Sequence, residues 1–284
     1  MENSVIFMYE NQKGGTVIFS PRADQWVENI TGLSSVDSDI SEAQGVGQVG
    51  ATATAVAVRP KTCTITGAVR NPSARRLLLA TVLPGVFGRL TMVSGGIRRY
   101  LEGIPTKTPD VQNKNGPQRF QIGFRCPYPY WRGEDTPTKL AGMIPCFQLP
   151  CSFSGRWYVS RPAENAFVEL SNPGNMPSAL TVQFVAKTQV TDPALYHMQS
   201  DSWIRLHTTL QPGETIAVCT QYGRKGAVKY TAGSQENVFR VLDIQSNLGM
   251  ALDPGTNTFK VEASAGRDGL EVILTAPKGV WAGV

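Results

Sequence analysis

The stretch Phe120-Gln121-Ile122-Gly123-Phe124-Arg125-Cys126-Pro127-Tyr128-Pro129-Tyr130-Trp131 constrains the fold more than any other. Its first seven residues alternate. Phe120, Ile122, Phe124 and Cys126 fall on one side and Gln121, Gly123 and Arg125 on the other, the period of a half-buried β-strand. Two prolines then end the strand, because proline has no N–H for a sheet ladder. Tyr128, Tyr130 and Trp131 follow where no strand can continue. Amphipathic aromatics in such a place pack a junction, with rings buried and polar tips free to hydrogen-bond. A first domain therefore ends here, near the middle of the 284 residues.

The same reading extends along the chain. Residues 5–9 and 16–20 are short β-rich runs around the loop Asn11-Gln12-Lys13-Gly14-Gly15, a hairpin. Residues 34–50 are polar, acidic and glycine-rich, which predicts an exposed, mobile loop. Strands are expected again over 51–58 and 62–69. Asn71-Pro72 opens the one convincing helix, to Leu83, with Ala74, Leu77, Leu78 and Val82 on its buried face and Pro84-Gly85 as its stop. Further strands are expected over 90–93, 100–104 and 120–126. After a loop-like stretch they resume over 167–170, 180–187, 203–210, 215–219, 227–231, 258–263 and 270–275, the last two joined by the turn Gly266-Arg267-Asp268-Gly269. The 28 glycines and 19 prolines, spread along the length, suit many short strands and turns. The expected fold is mainly β: two β-sandwich domains, 1–133 with one packed α-helix and 164–284, joined by a linker over 134–163.

Charge excludes one function class. Residues 1–135 carry 15 Lys/Arg against 11 Asp/Glu and residues 136–284 carry 12 against 11, a surplus too thin for a nucleic-acid binder, which shows a clustered basic stripe. The longest strongly apolar run, 77–83, is far too short to span a bilayer, and Met1-Glu2-Asn3-Ser4 shows no secretory signal. Cysteines at 63, 126, 146, 151 and 219 are odd in number and irregular in spacing, so they read as small buried hydrophobes of a cytosolically made protein.

No catalytic, cofactor-binding or metal-binding residue is assigned. Gly45-Val46-Gly47-Gln48-Val49-Gly50 matches G-x-G-x-x-G letter for letter, yet a dinucleotide site needs a strand before it and a helix after it, and neither pattern is present. Cys146 and Cys151 lack a second Cys or His pair at a ligand spacing, and His197 and His207 are the only histidines. His207 alternates with Trp203 and Arg205, an ordinary solvent-side position. No nucleophile elbow and no Cys/His nucleophile pair stands out, and the acids are scattered apart from Glu134-Asp135. The chain is expected not to be an enzyme and to need no cofactor.

The order of features resembles the phage distal tail proteins, hub subunits of siphophage and prophage tail tips. Trp26 and Ile30-Thr31-Gly32-Leu33 precede a polar loop. Arg59 and the strand with Ile65-Thr66-Gly67 follow, then the Asn-Pro helix ending Leu83-Pro84-Gly85, the turn Tyr100-Leu101-Glu102-Gly103 and the strand ending Cys126-Pro127-Tyr128-Pro129-Tyr130-Trp131. In the second half Asn172-Pro173-Gly174-Asn175-Met176-Pro177 resembles the family's Asn-x-Gly-Asp/Asn turn, with Asn175 where Asp is commoner. Gln211-Pro212-Gly213-Glu214-Thr215-Ile216 and Leu252-Asp253-Pro254-Gly255-Thr256-Asn257 resemble two more of its turns. Residues 136–163 depart from the pattern, being longer and richer in Pro and Cys.

The resemblance implies an N-terminal ring-forming domain and a galectin-like (jelly-roll) C-terminal sandwich pointing outward. It also implies a hexameric ring joining the tail tube to the tail-tip or baseplate proteins and the receptor-binding apparatus. DNA would pass only through the lumen, and the protein would be assembled in the host cytoplasm and located in the virion tail, with no membrane insertion. A second reading is a carbohydrate-binding protein that recognises a host cell-surface glycan through the C-terminal sandwich, with Trp157, Tyr158, Trp203, Tyr222 and Trp281 available for stacking. Glycan binding to isolated cell wall separates the two.

Overall fold

The computed structural model describes residues 5–111, 116–141, 143–145, 160–162, 167–231 and 233–284. It is mostly β, with one α-helix among the described residues. The chain divides into two compact units, Met1–Glu134 with Trp281–Val284, and Asp135–Val280.

In the first unit β1 (Ile6–Asn11) and β2 (Thr16–Phe19) form the expected hairpin, with Phe7 opposite Phe19 and Tyr9 opposite Val17. Asn11 organises its turn: the side-chain oxygen accepts from the Lys13 and Gly15 amides, both at 2.9 Å, and the side-chain nitrogen donates to the Thr81 carbonyl at 2.8 Å. Then come β3 (Gln25–Thr31), β4 (Ser38–Ala43), β5 (Thr52–Val58), β6 (Lys61–Val69), α1 (Pro72–Thr81), β7 (Gly88–Ser94), β8 (Ile97–Pro105), β9 (Asp110–Val111), β10 (Gln118–Cys126) and β11 (Trp131–Arg132). Neighbours run β11-β8-β7-β1-β2-β3-β6-β10-β9, and an added pairing of β10 with β8, Phe124 opposite Pro105, closes seven strands into a barrel. The sheet thus curls further than the facing layers expected from sequence. Gly67 makes a close approach possible, since a Cβ there would lie 2.1 Å from the Trp26 carbonyl oxygen.

Inward residues of alternate positions fill the barrel: Tyr9, Phe19, Ile65, Leu90, Leu101, Ile122 and Phe124 are fully or almost fully buried. The helix covers this core. Asn71 caps it by accepting from the Ala74 amide at 2.7 Å, with proline at the first turn. Its buried face is Ala74, Leu78 and Thr81, and Val82 is buried just beyond its end. Leu77, expected on that face, is 46% exposed, because 74, 78 and 81 define the stripe and position 77 lies on its flank. Trp131 is fully buried and donates from Nε1 to the Leu33 carbonyl at 2.9 Å. Tyr128 and Tyr130 meet edge to face, and the Arg132 guanidinium lies over Tyr100 and Tyr128. The aromatic run thus packs as its composition predicts.

The segment Trp281–Val284 belongs to this unit. Lys61 Nζ donates to the carbonyls of Leu33, at 2.8 Å, and Ala282, at 3.2 Å, and its burial lowers its pKa. Ser34 Oγ donates to the Val284 carbonyl at 2.7 Å, and the Arg99 guanidinium lies 4.2 Å from the Trp281 ring centre.

The second unit is a sandwich. One sheet runs Asp135–Ala141, Leu270–Pro277, Thr181–Ala186, Thr215–Cys219, Gly226–Thr231, Ser234–Asn237. The other runs Val168–Asn172, Gly255–Glu262, Ala194–His197, Ser202–Arg205. Phe184, Val272, Leu274, Ile216 and Val218 of the first sheet and Leu195, Ile204, Phe259 and Val261 of the second share one core. Residues 135–141, expected in the linker, form an edge strand paired to Leu270–Pro277; most of the remaining expected linker lies outside the described residues.

Glu271 sits between Lys139, at 2.5 Å, and Lys187, at 3.4 Å, and these contacts hold its carboxyl below the usual carboxylate range. A depressed folded pKa stabilises above the unfolded value, roughly 4.3, and that contribution is lost as pH falls through the folded one. Glu271→Gln should therefore be less thermostable than the parent at pH 7, with the gap closing by about pH 3 in paired melts. A gap independent of pH would assign the effect to packing.

Candidate functional site

Residues 33–61 connect β3 to β6, and within them the chain leaves the core altogether. Every residue from 37 to 60 is exposed. The stretch expected as a mobile loop over 34–50 is instead half of an ordered two-stranded arm, in which β4 pairs with β5. Ile40 faces Val56 and Ser38 faces Val58 on one side, while Asp39–Ala57 and Ser41–Ala55 pairs occupy the other; a bulge follows Ser41. At the root Arg59 pairs with Asp39 through its side chain and with the Asp37 carbonyl through its amide, at 2.8 Å. The ion pair holds the Asp39 carboxyl below its ordinary range.

The tip of the arm is the G-x-G-x-x-G sequence. Gln48 N donates to the Gly45 carbonyl at 3.1 Å, its side-chain oxygen accepts from the Gly45 amide at 3.0 Å, and Gly47 takes φ +78°, the value that the third residue of a type II turn requires. The glycines make a turn that joins two strands. Val46 and Val49 project from it, completely exposed. A lone two-stranded ribbon is marginally stable in water. This one displays Ile40, Val46, Val49, Val56 and Val58 with no core beneath them, which suits an element completed by another chain.

Beside the arm's root the barrel mouth opens into a cavity of about 570 Å³, lined by apolar side chains that include Phe7, Phe19, Ile30, Leu33, Met92 and Ile97. Arg99 also lines it and has a buried Nε without a hydrogen-bond partner among the described residues.

The other sequence candidates fall apart spatially or chemically. Cys63 and Cys126 are buried core residues and Cys219 is half-buried; Cys146 and Cys151 lie outside the described residues. His207 is exposed, with Nε2 3.2 Å from an Asp243 oxygen. His197 is buried and structural, between Ser200 and Asn257. Among the described residues no group of three or more His, Cys, Asp or Glu could hold a metal. Of the aromatics proposed to stack on sugar, Trp157 and Tyr158 lie outside the described residues. Trp281 packs under Arg99 in the first unit, Trp203 is half-buried against Tyr196, and Tyr222 stands free at 90% exposure.

The three turn motifs of the second half are built by side chains that bond backbone. Asn172 accepts from the Gly174 amide and donates to the carbonyls of Met176 and Leu252, each at 2.9 Å. Glu214 accepts from the Gln211 amide at 2.9 Å and pairs with Lys229. Asn257 accepts from the Asp253 amide at 2.8 Å and donates to the carbonyls of Asp253 and Gly255. Asn172 and Asn257 are almost fully buried, which makes these motifs structural.

A barrel with an outlying arm and a separate sandwich make a mainly β protein of two units. Residues 173–273, inside the second unit, match the model of a family described as siphovirus-type tail component, C-terminal domain. The second unit thus carries a stretch similar to the C-terminal domain of siphovirus-type tail components. The fold of the chain over both units is similar to that of SPP1 Dit, described as a paradigm of hub adsorption apparatus in Gram-positive infecting phages, with TM-score 0.66, 14% identity, and 95% of this chain and 98% of that chain covered. It is also similar to a chain of the phage P2 baseplate in its activated conformation with calcium: TM-score 0.50, 12% identity, 97% of this chain and 98% of that one. The strontium form of that baseplate gives TM-score 0.50 and 12% identity over 95% and 97%. No curated protein matches the chain.

Proposed function

We propose that this protein is the distal hub of a siphovirus-type tail. It forms a hexameric ring between the tail tube and the tail-tip or baseplate proteins, which carry the receptor-binding apparatus. The ring is assembled in the host cytoplasm and resides in the virion tail, with DNA passing only through its lumen. Its work is assembly and connection, without covalent chemistry. The observation that carries this reading is the exposed arm over residues 37–60, on a chain whose second unit matches a tail-component family. A rotationally symmetric ring needs contacts in which one patch of each copy meets a different patch of the next. An arm that projects from one side of the barrel is such a patch. Ring closure adds a contact without immobilising a further subunit, so assembly should be cooperative in protein concentration.

Mass measured over a concentration series, alone and with the neighbouring tail proteins, should show a transition to six copies. Electron microscopy should show a ring with a central hole. A chain that stays monomeric in both conditions, and binds isolated host cell wall, would overturn the hub reading in favour of glycan recognition.

A further inference from the structure

The arm needs something to rest on, and the cavity at the barrel mouth is chemically matched to it. We infer that the tip around Val46 and Val49 of one copy plugs the barrel mouth of the next, so that arm and cavity are the two halves of the subunit contact. This rests on the ring reading and names the surfaces that would form it.

The two surfaces complement each other in polarity, charge and hydrogen bonding. The tip offers two fully exposed valines on a narrow turn, and the mouth offers an open apolar space of about 570 Å³ between Phe7, Ile30, Leu33, Met92 and Ile97. The arm carries Asp37, Asp39 and Glu42 against the single cation Arg59, while the mouth carries Arg99; Arg98, next to it in sequence, does not line the mouth and pairs with Glu134 at 3.6 Å. Glu28 also lines the mouth, but it is paired with Arg119 at 3.3 Å. The Arg99 side chain is held against the Trp281 ring, and its Nε is buried without an acceptor among the described residues. A buried donor left unpaired is costly, and a backbone carbonyl from an inserted tip would satisfy it.

Reach and topology agree as well. Six to seven extended residues carry the tip roughly 20 Å from the root, and the root itself begins at Leu33 and Ser34, beside the same mouth. Each copy therefore presents a knob and, at its base, a socket. A knob entering the next socket is a heterologous contact, the kind that closes rings.

The test uses the full chain. Val46→Asp with Val49→Asp places two charges at exposed positions and should leave the monomer's melting temperature unchanged. It should raise the concentration needed for assembly by roughly tenfold or more. Ile97→Asp, at a mouth position 57% exposed, should do the same from the socket side. Under mild oxidation a chain carrying both Val49→Cys and Ile97→Cys should give a covalent ladder on denaturing gels. An equimolar mixture of the two single variants should stop at dimers, and either alone should give neither.

If the Asp variants assemble like the parent and the paired cysteines do not cross-link within a ring of normal mass, the socket inference is wrong and the ring reading stands. If the parent never assembles, alone or with its tail neighbours, both fail.

Discussion

Leu78→Ala should lower the melting temperature of the first unit by roughly 6–20 °C, while Leu77→Ala, one residue away, should change it little. Leu78 has no exposed surface and sits where α1 meets the barrel core. Truncating such a leucine removes its transfer free energy and leaves a cavity that the neighbours fill incompletely, about 2–5 kcal/mol in all. For a unit of this size each kcal/mol corresponds to roughly 3–4 °C. Leu77 is 46% exposed, and surface changes of this kind stay within about 0.5 kcal/mol. Differential scanning calorimetry of the two variants checks the contrast directly. Equal shifts would mean that the helix is rotated from its described orientation, and no shift in either would mean that it contributes nothing to the barrel.

Asn257→Ala should destabilise the second unit by about 2–4 kcal/mol, more than a turn residue ordinarily does. Only 1% of Asn257 is exposed, and its side chain bonds both ends of the Asp253 turn while also meeting His197 Nε2 at 3.1 Å. Because the Asn257 oxygen accepts, His197 must donate from Nε2, and its Nδ1 lies 2.7 Å from Ser200 Oγ. Alanine would strand the buried His197 ring nitrogen and unpair the Asp253 amide, and an orphaned buried group costs about 1–3 kcal/mol. A urea titration of the variant should show a lower midpoint with an unchanged slope. An unchanged midpoint would mean that water replaces the lost bonds and that the turn is not buried as described.

Much of the architecture was legible because burial sorts residues by polarity. Phe120, Ile122 and Phe124 point inward as their alternation requires, and Asn71-Pro72 starts the helix where capping chemistry places it. The failures have separate physical causes. In β4 both faces meet solvent, so no side is selected to be apolar and the period of two carries no signal, whereas the small and β-branched residues of β5 did mark it as a strand. Residues 135–141 bury only Leu140 among their described side chains and contain Pro137, which an edge strand tolerates and a sequence pattern reads as loop. The closing pair of β8 with β10 is a long-range contact that no local pattern encodes. Leu77 was misplaced because a short helix offers few turns from which to fix the buried stripe.

The candidate site was hidden for the same reason as β4. Its polar composition reads as a floppy loop, and its glycines spell a nucleotide motif that a strand, β5, follows where such a motif needs a helix. The cavity could not be read at all, since its walls come from residues as far apart as Phe7, Leu33 and Ile97.

The return of Trp281–Val284 to the first unit means that the sandwich is an insertion within another domain's chain. Its entry and exit strands run side by side, Asp135 opposite Pro277. Domains with adjacent ends are the ones that chains accept and release most readily, because a short connector can replace them without stretching the host. The barrel, its arm and its mouth could therefore stay constant across lineages while the inserted body is enlarged, exchanged or reduced. A change of that body would leave the strand register of the barrel and its arm untouched.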